Sequence, residues 1–354
     1  MTMRALKRPC ALMQPVGLAG MLFFALTLLG CDRSDPIVVI QLHPKNPDIL
    51  YVTTNDYIYK TRDGGKTWTN ISKGMSHSRV IAMAIDPSYP ATVYAGTKGD
   101  AVYKSHDGGQ RWTSMRSGLD DATISSVVNQ FVFDPYDSNH IFLATTMGIF
   151  ETKTGGESWI KRMEGMKEVL MVVSLAMDPT RPAFLYAGTS GGVYKTVNEG
   201  GHWEKANNGL VPPEMIKSSR ALNVTSIQVD PFEPDTVYAA TLTGLFKTAD
   251  GAKSWRRIGE SLSDQMIIGM VVDRSKKGVI YITGREGVHR SGDGGMTWKT
   301  LNNGFVSTNV RSIAQSPTDP ALFYAGTNGS GLYRSRDGGE TWEPMPAVAQ
   351  NAGA

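Results

Sequence analysis

The octapeptide Thr61-Arg62-Asp63-Gly64-Gly65-Lys66-Thr67-Trp68 recurs six times further along the chain in varied form. Each copy ends in tryptophan, and the seven copies account for every tryptophan of the 354-residue sequence: Trp68, Trp112, Trp159, Trp203, Trp255, Trp298 and Trp342. Successive tryptophans lie 44, 47, 44, 52, 43 and 44 residues apart. A period of this length indicates a repeat architecture in which each copy forms one supersecondary unit.

Each repeat also contains four short segments with β-strand character, which we call strands A to D. Strand A is an alternating apolar segment that ends in a turn such as Asp86-Pro87, strand B reads Val-Tyr-Ala-Gly-Thr at 93–97, and strand C reads Gly-Val-Tyr-Lys at 192–195. Units of four strands at this period are typical of propeller blades. We predict an all-β fold, a single seven-bladed β-propeller at 36–349 with a tail at 350–354. The predicted blades cover 36–75, 76–119, 120–166, 167–210, 211–262, 263–305 and 306–349.

The octapeptide resembles the Asp-box, Ser/Thr-x-Asp-x-Gly-x-Thr-Trp, of the BNR repeat families. In a turn between strands C and D its carboxylate can accept backbone N–H bonds, and its tryptophan can bury a large surface on strand D. Blades 3 and 4 carry Thr154 and Asn198 instead of the acid, and both can still hydrogen-bond. We predict that the boxes are structural, and the alternative is a row of catalytic acids or calcium ligands. The structural carboxylates are Asp63, Asp107, Asp250, Asp293 and Asp337.

The first 30 residues have the pattern of an export signal. Three basic residues precede an apolar run that ends at Leu29 and is too short for a spanning helix of ~20 residues. An uncleaved N-terminal membrane anchor is the alternative. The segment Leu28-Leu29-Gly30-Cys31 resembles the bacterial lipoprotein box, which implies cleavage before Cys31 and lipidation of that cysteine, with palmitate among the acyl chains. The resemblance therefore implies a protein anchored by lipid to a bacterial cell membrane, on its periplasmic or extracytoplasmic side, and leaves inner and outer membrane open.

Loss of this segment changes what the composition implies. It removes three basic residues and no acid, so the net charge falls from +3 to zero, and we expect no nucleic-acid partner. With Cys10 removed and Cys31 acylated, neither a disulfide nor a catalytic thiol remains. The sequence contains no His-Glu-x-x-His, nucleophile elbow or phosphate loop. We therefore predict no metal, no cofactor and no catalytic residue.

Strand polarity divides the predicted propeller into two faces. In an antiparallel blade the A–B and C–D turns share one face, the Asp-box face, whereas the B–C turns and D–A connections share the other, the variable-loop face. Each repeat has 25 or 26 residues from its A–B turn to its tryptophan, but 18 to 27 from the tryptophan to the next A–B turn. The longest connections lie at 113–127 and 204–226.

Binding residues tend to lie on loops that a rigid scaffold holds in place, so these two connections are the candidate binding site. Neutral insertions are the alternative, and for the two aspartates an ordinary turn role. The candidate residues are Asp120, Asp121, Glu214, Met215, Lys217 and Arg220.

The tether between lipid and propeller is short. Residues 31–35 span at most ~17 Å when extended, and strand A of blade 1 starts on the variable-loop face. We therefore expect this face, or its rim, to lie near the bilayer and to meet a membrane-proximal partner.

The repeats also resemble those of several functional families. Tyr-Ala-Gly-Thr and Gly-Val-Tyr-Lys are similar to repeats of xyloglucan-cleaving glycosidases, whose active site lies between two propellers that each supply a catalytic aspartate. Sialidases have six blades and a Phe/Tyr-Arg-Ile-Pro segment that is absent here. Sortilin-type receptors have ten blades and cysteine-rich modules.

A single, lipid-anchored, seven-bladed propeller resembles the photosystem II assembly and stability factors in blade count, length and lipobox, although the blade sequences differ. This resemblance implies a scaffold without catalytic activity. We predict a monomeric lipoprotein that binds a protein partner during assembly or stabilisation of a membrane or envelope complex. The alternative is a carbohydrate-binding or glycoside-hydrolysing propeller, and a third possibility is a structural module of an envelope or surface complex.

Overall fold

The computed structural model describes residues 35–76, 79–166, 171–211, 221–262 and 265–348. These residues form seven four-stranded antiparallel sheets, each built from four consecutive strands in the order A-B-C-D. The prediction of an all-β, seven-bladed propeller is confirmed. The strands of each sheet fall within the interval predicted for that blade. The predicted signal segment at 1–30 and the lipidated Cys31 lie outside the described residues.

The strands of blades 1 to 4 have the following bounds. They are β1 Val39–Leu42, β2 Leu50–Thr53, β3 Ile58–Thr61, β4 Thr69–Asn70, β5 Val80–Ile85, β6 Val93–Thr97, β7 Val102–Ser105, β8 Thr113–Ser114, β9 Val128–Phe133, β10 Ile141–Thr145, β11 Gly148–Thr152, β12 Ile160–Lys161, β13 Val172–Met177, β14 Leu185–Thr189, β15 Gly192–Thr196 and β16 Glu204–Lys205.

Blades 5 to 7 repeat the pattern. Their strands are β17 Val224–Val229, β18 Val237–Thr241, β19 Gly244–Thr248, β20 Arg256–Ile258, β21 Ile267–Val272, β22 Ile280–Gly284, β23 Gly287–Ser291, β24 Lys299–Thr300, β25 Val310–Gln315, β26 Phe323–Thr327, β27 Leu332–Ser335 and β28 Glu343–Pro344. Two short helical segments occur in D–A connections, α1 at Asp121–Ile124 and a 3-10 turn at Glu260–Leu262. Among the residues described, no helix has the length and apolarity to cross a membrane.

The seven first strands form the inner wall of the ring. Each strand A contacts the strands A of the two neighbouring blades, and β25 of blade 7 contacts β1 of blade 1, so the ring is closed. The closing seam has its own backbone bond, because Ile37 N–H donates to the carbonyl of Thr327 at 3.1 Å. Ile37 is buried against Gly326, where a Cβ atom would lie 2.6 Å from the isoleucine side chain.

The hydrophobic core is divided among the seams between blades. Seven clusters of buried residues are present, one for each pair of neighbouring blades. Each tryptophan packs in the seam with the preceding blade; Trp203, for example, is 1% exposed and packs with Phe142 of blade 3. We predicted the tryptophans on strand D, but each lies one residue before that strand. From there the indole reaches the neighbouring blade.

The seams also contain a backbone contact that the octapeptide alone does not reveal. The Trp342 N–H donates to the carbonyl of Asn303 in blade 6 at 2.8 Å. The next residue, Gly304, has φ +99°, and a Cβ atom there would lie 1.9 Å from the Trp342 carbonyl oxygen. Only glycine permits this approach of two backbones. The same contact occurs at Gly118, Gly165 and Gly209.

The Asp-box turns have one hydrogen-bond pattern. In blade 1 the Asp63 carboxylate accepts from Lys66 N–H and Thr67 N–H at 3.0 Å, and from the Thr61 and Thr67 hydroxyls at 2.7 and 2.6 Å. These donors, led by Thr67, hold the pKa of Asp63 well below its usual range. In blade 4, Asn198 accepts from His202 N–H and the Thr196 hydroxyl. The carboxylate therefore satisfies the turn's own donors.

Candidate functional site

The shorter of the two long connections is held against blade 2. Asp120 accepts a hydrogen bond from Thr123 N–H at 2.8 Å and thereby caps α1. The carbonyl of Ile124 accepts from Ala101 N–H in the B–C turn of blade 2, at 3.1 Å. Asp121 is exposed in the first turn of α1. The structure thus gives Asp120 a capping contact and leaves Asp121 at the surface of the variable-loop face.

The longer connection is described only in part. The predicted binding residues Glu214, Met215, Lys217 and Arg220 lie outside the described residues. Where the chain is described again, Ala221 is buried and the Asn223 carbonyl accepts from Leu242 N–H at 3.1 Å. The connection therefore returns to the propeller beside the B–C turn of blade 5.

The inner wall has an irregularity at its variable-loop end. In blades 2 to 7 the pairing of strand A with strand B shifts by one residue near the start of strand A, which leaves one bulged residue per blade. β-Bulges re-aim side chains and are enriched next to functional sites. All six bulge residues are half-buried: Ile81, Asn129, Val173, Thr225, Ile268 and Arg311.

The polar bulge residues differ in whether they have partners. The Asn129 amide donates to the Val172 carbonyl of the next blade at 2.7 Å, and the Thr225 hydroxyl donates to the Ile267 carbonyl at 3.0 Å. Arg311 has neither a hydrogen bond nor an ion pair from its side chain among the described residues. It is also the only charged residue in the seven first strands. A half-buried cation in an otherwise neutral wall is therefore left without a counter-charge.

A second arginine with the same property lies near Arg311. Arg79 directly precedes β5, so the two arginines begin the first strands of blades 2 and 7, which flank β1 on either side. The Arg79 Nε atom is buried and has no hydrogen-bond partner. Burial, together with the positive charge of Arg79, lowers the pKa of Arg311.

The other half-buried arginines among the described residues pair with acids. Arg162 lies 2.6 Å from Glu151, and Arg181 lies 2.6 Å from Asp178. The pairs of Arg290 and Arg334 are with Glu340 and Glu343. Against this background, Arg79 and Arg311 form a distinct feature, which we call the arginine pair.

Exposed apolar side chains occur on both faces. On the variable-loop face Val306 is 85% exposed, and on the Asp-box face Tyr136 is 74% exposed. Exposed apolar surface therefore does not indicate which face binds a partner. The arginine pair indicates the variable-loop face, because Arg79 and Arg311 lie at the variable-loop end of strand A.

The seam between blades 3 and 4 contains a buried charge network that sequence analysis missed. Strand C of the other blades carries a lysine or arginine at the position of Glu151. Lys104, for example, donates to the Gly155 carbonyl of the next blade at 2.8 Å. Glu151 instead accepts from His140 Nε2 at 2.8 Å and from Arg162 Nε at 2.7 Å. The replacement of a basic residue by glutamate was the available signal.

His140 is the centre of this network. Its Nδ1 lies 3.0 Å from Asp134, so each ring nitrogen faces a carboxylate. Burial alone would lower the pKa of His140, but the hydrogen bonds to Glu151 and Asp134 outweigh burial and raise it. Imidazolium, with two N–H donors, is the form that satisfies both carboxylates.

His140 and Glu151, together with Glu199 of blade 4, form a group that could hold a metal ion. Their ligand atoms lie within 4.8 Å of one another, although no residue spacing in the sequence predicts a metal site. The Lys153 ammonium, however, lies 2.7 Å from Glu199 and 3.7 Å from Glu151. The carboxylates are thus already neutralised by side chains, and we assign no metal to this cluster.

A groove lies between blades 4 and 5. It encloses about 420 Å³ and contains one carboxylate, Glu204, among its lining residues. Its Lys195 ammonium is held by the Gly251 carbonyl at 2.9 Å. A two-carboxylate glycosidase mechanism needs a second acid within about 10 Å across the substrate, and the lining of this groove does not supply one.

Comparison with protein families agrees with the repeat assignment. The model of the BNR/Asp-box repeat matches residues 333–344, which confirms the resemblance drawn from the octapeptide. The model described as sortilin, neurotensin receptor 3, matches residues 56–172, about a third of the chain. Among curated proteins, the xyloglucanase of Hypocrea jecorina (strain QM6a) is 27% identical over 119 residues, which is 32% of this chain and 14% of that enzyme.

Solved structures share the propeller fold. An ancestral GH74 enzyme matches with a TM-score of 0.70 and 18% identity, over 89% of this chain and 47% of that one. YCF48 bound to D1 peptide matches with a TM-score of 0.62 and 17% identity, over 86% and 92%. YCF48 from Cyanidioschyzon merolae gives 0.61 and 15%, over 86% and 95%. This chain thus spans about half of the GH74 enzyme and a small fraction of the curated xyloglucanase.

Proposed function

We propose that the protein is a non-catalytic scaffold that binds a protein partner through its variable-loop face. In this proposal, lipid on Cys31 anchors it to a bacterial membrane, and it serves the assembly or stability of a membrane or envelope complex. The observation that carries the proposal is the arginine pair, because two half-buried cations that have no counter-charge among the described residues lie on the face where the loops vary in length.

The comparisons with solved structures also favour a protein-binding scaffold, because of the share of each similar protein that this chain covers. This chain covers nearly the full length of YCF48, one structure of which holds a D1 peptide, whereas it spans about half of the GH74 enzyme. By resemblance, the xyloglucan-cleaving site needs aspartates from two propellers, and the described residues form one. Peptide binding is therefore the better-supported function for a single ring.

Affinity capture from detergent-solubilised membranes tests the proposal. We expect the full-length protein to retain a defined membrane-associated partner. A variant with residues 212–220 replaced by Gly/Ser should retain less of it. A matched change on the opposite face, Tyr136→Ser, should leave capture unchanged. Equal capture by all three proteins would refute the assignment to the variable-loop face, and no partner above background would refute the scaffold function.

A glycosidase is the second candidate, because the xyloglucanase of Hypocrea jecorina shares 27% identity over 119 residues. We expect the purified protein to leave a panel of xyloglucan, cellulose and sialylated oligosaccharides intact. Release of reducing sugar that scales with protein concentration and survives repurification would establish an enzyme and overturn the scaffold proposal.

A further inference from the structure

The arginine pair is an unusual arrangement for a structural element. Placing two like charges in a half-buried position costs free energy, both from lost hydration and from mutual repulsion. Among the described residues, neither Arg79 nor Arg311 has an ion pair, and the first strands contain no carboxylate that would lower that cost. The described contacts of the propeller therefore do not compensate the charge of the pair.

The surroundings of the pair define what it can bind. The half-buried side chains of β1, β5 and β25 other than Arg311 are glutamine, serine or apolar, and Arg311 is the single charge in the seven first strands. A guanidinium presents N–H donors in a planar fork that matches a carboxylate in bidentate geometry. An anion at the variable-loop end of β1 would lie between the two strands that carry these forks and would meet no acid from the first strands.

We propose that the arginine pair is a carboxylate-binding site at the variable-loop end of the inner wall, and that it receives a carboxylate of the partner polypeptide. This inference rests on the proposed function for the identity of the ligand, since carboxylates are the anions that an unmodified protein carries. Either a C-terminal carboxylate or an Asp or Glu side chain provides the same chemistry. Binding would supply the counter-charge that the pair lacks among the described residues, and it would couple partner recognition to the seams on both sides of blade 1.

Short fluorescent peptides of alanine, leucine and serine test the site directly, with the full-length protein in detergent. One peptide has a free C-terminal carboxylate, the second has a C-terminal amide, and the third has the amide and one internal aspartate. We expect the free-carboxylate or the aspartate peptide to bind at least about tenfold more tightly than the plain amide, a difference typical of one charged contact. Which of the two binds identifies the source of the carboxylate.

Arginine variants separate recognition from folding. Arg79→Gln and Arg311→Gln should each weaken binding of the preferred peptide by about tenfold. Arg274→Gln, at an exposed arginine on the Asp-box face, should not. Because each substitution in the pair removes an uncompensated charge, the Tm of Arg79→Gln and Arg311→Gln should equal or exceed that of the wild type. A purely structural role predicts the opposite change in Tm.

Three results would overturn the site: equal binding of the amide and carboxylate peptides, unchanged binding by the Arg79→Gln/Arg311→Gln double variant, or no peptide binding at about 1 mM, the weakest affinity of interest. Displacement of the peptide by inorganic phosphate at far lower concentration than by acetate would overturn the carboxylate assignment in favour of a phosphate ligand. Partner capture distinguishes failure of the arginine site from failure of the scaffold function. If the double variant captures the membrane partner as well as the wild type, the site fails and the scaffold stands; if the wild type captures none, the scaffold itself fails.

Discussion

Glycine-to-alanine substitutions in two seams form a test and its control, because the added methyl group would clash in one seam and contact no atom in the other. Gly304 has φ +99°, and an added Cβ would lie 1.9 Å from the Trp342 carbonyl oxygen and 2.9 Å from its carbon. Gly74 is at the equivalent position after the tryptophan of blade 1, has φ +93°, and has no heavy atom within 4 Å of an added Cβ. Gly304→Ala and Gly74→Ala therefore share the backbone cost and differ in the clash.

The structure gives the expected magnitudes. Alanine at positive φ costs about 1–2 kcal/mol, which the reduced entropy of the unfolded chain offsets by about 0.4–1 kcal/mol. Gly74→Ala should therefore destabilise by about 1 kcal/mol or less. At Gly304 the backbone of Trp342 must also move by more than 1 Å to restore ordinary contact, and forced overpacking of this kind costs a further ~1–3 kcal/mol. The expected difference between the two variants is about 2 kcal/mol.

Urea unfolding followed by tryptophan fluorescence measures this difference, because the affected indole reports on the seam. With an m-value of about 3 kcal/mol/M, the midpoint of Gly304→Ala should lie about 0.7 M below that of Gly74→Ala. Equal midpoints for the two variants would refute the view that these glycines are required by the close approach of neighbouring blades.

Three further outcomes follow from the described contacts. Trp112→Phe should destabilise by about 1–2 kcal/mol more than Trp68→Phe, because the Trp112 indole donates to a backbone carbonyl at 2.8 Å whereas the buried Trp68 Nε1 has no partner; equal losses in urea midpoint would contradict this. The raised pKa of His140 contributes stability that is complete below the unfolded pKa near 6.5 and is lost as pH rises through the folded pKa. The urea midpoint should therefore fall between about pH 6 and 9 more in the wild type than in His140→Gln. Parallel pH profiles of the two proteins would refute the network. Insertion of about twenty Gly/Ser residues after Asp35 should abolish partner capture if the short tether positions the variable-loop face; undiminished capture would exclude that role.

Local chemistry explains which parts of the fold were predictable. The octapeptide contains its own donors and acceptor, so the turn at Asp63 could be anticipated from seven neighbouring residues. The apolar alternation fixed four strands per repeat, and the count of tryptophans fixed seven blades. The position of the tryptophans was off by one residue because the indole is needed in the seam, where tertiary packing rather than strand pairing decides.

The contacts between blades could not be predicted in the same way. Gly304 reads as an ordinary turn glycine until the Trp342 backbone is placed against it. Arg79 and Arg311 are separated by 232 positions, and only ring closure brings their strands to either side of β1. His140 and Glu151 likewise gain meaning only when strands B and C pair, although glutamate at a position that is otherwise basic was a usable signal. These features depend on which residues, distant in sequence, the fold brings together, and residue type alone does not reveal them.

Site-specific photo-crosslinking in intact membranes determines which face of the propeller contacts the partner. A benzophenone side chain placed at Val306 samples the variable-loop face, and the same group at Tyr136 samples the Asp-box face; both positions are strongly exposed. The account predicts a discrete protein adduct from Val306 and none from Tyr136. An adduct from Tyr136 alone, or the same adduct from both positions, would contradict a partner bound at the variable-loop face.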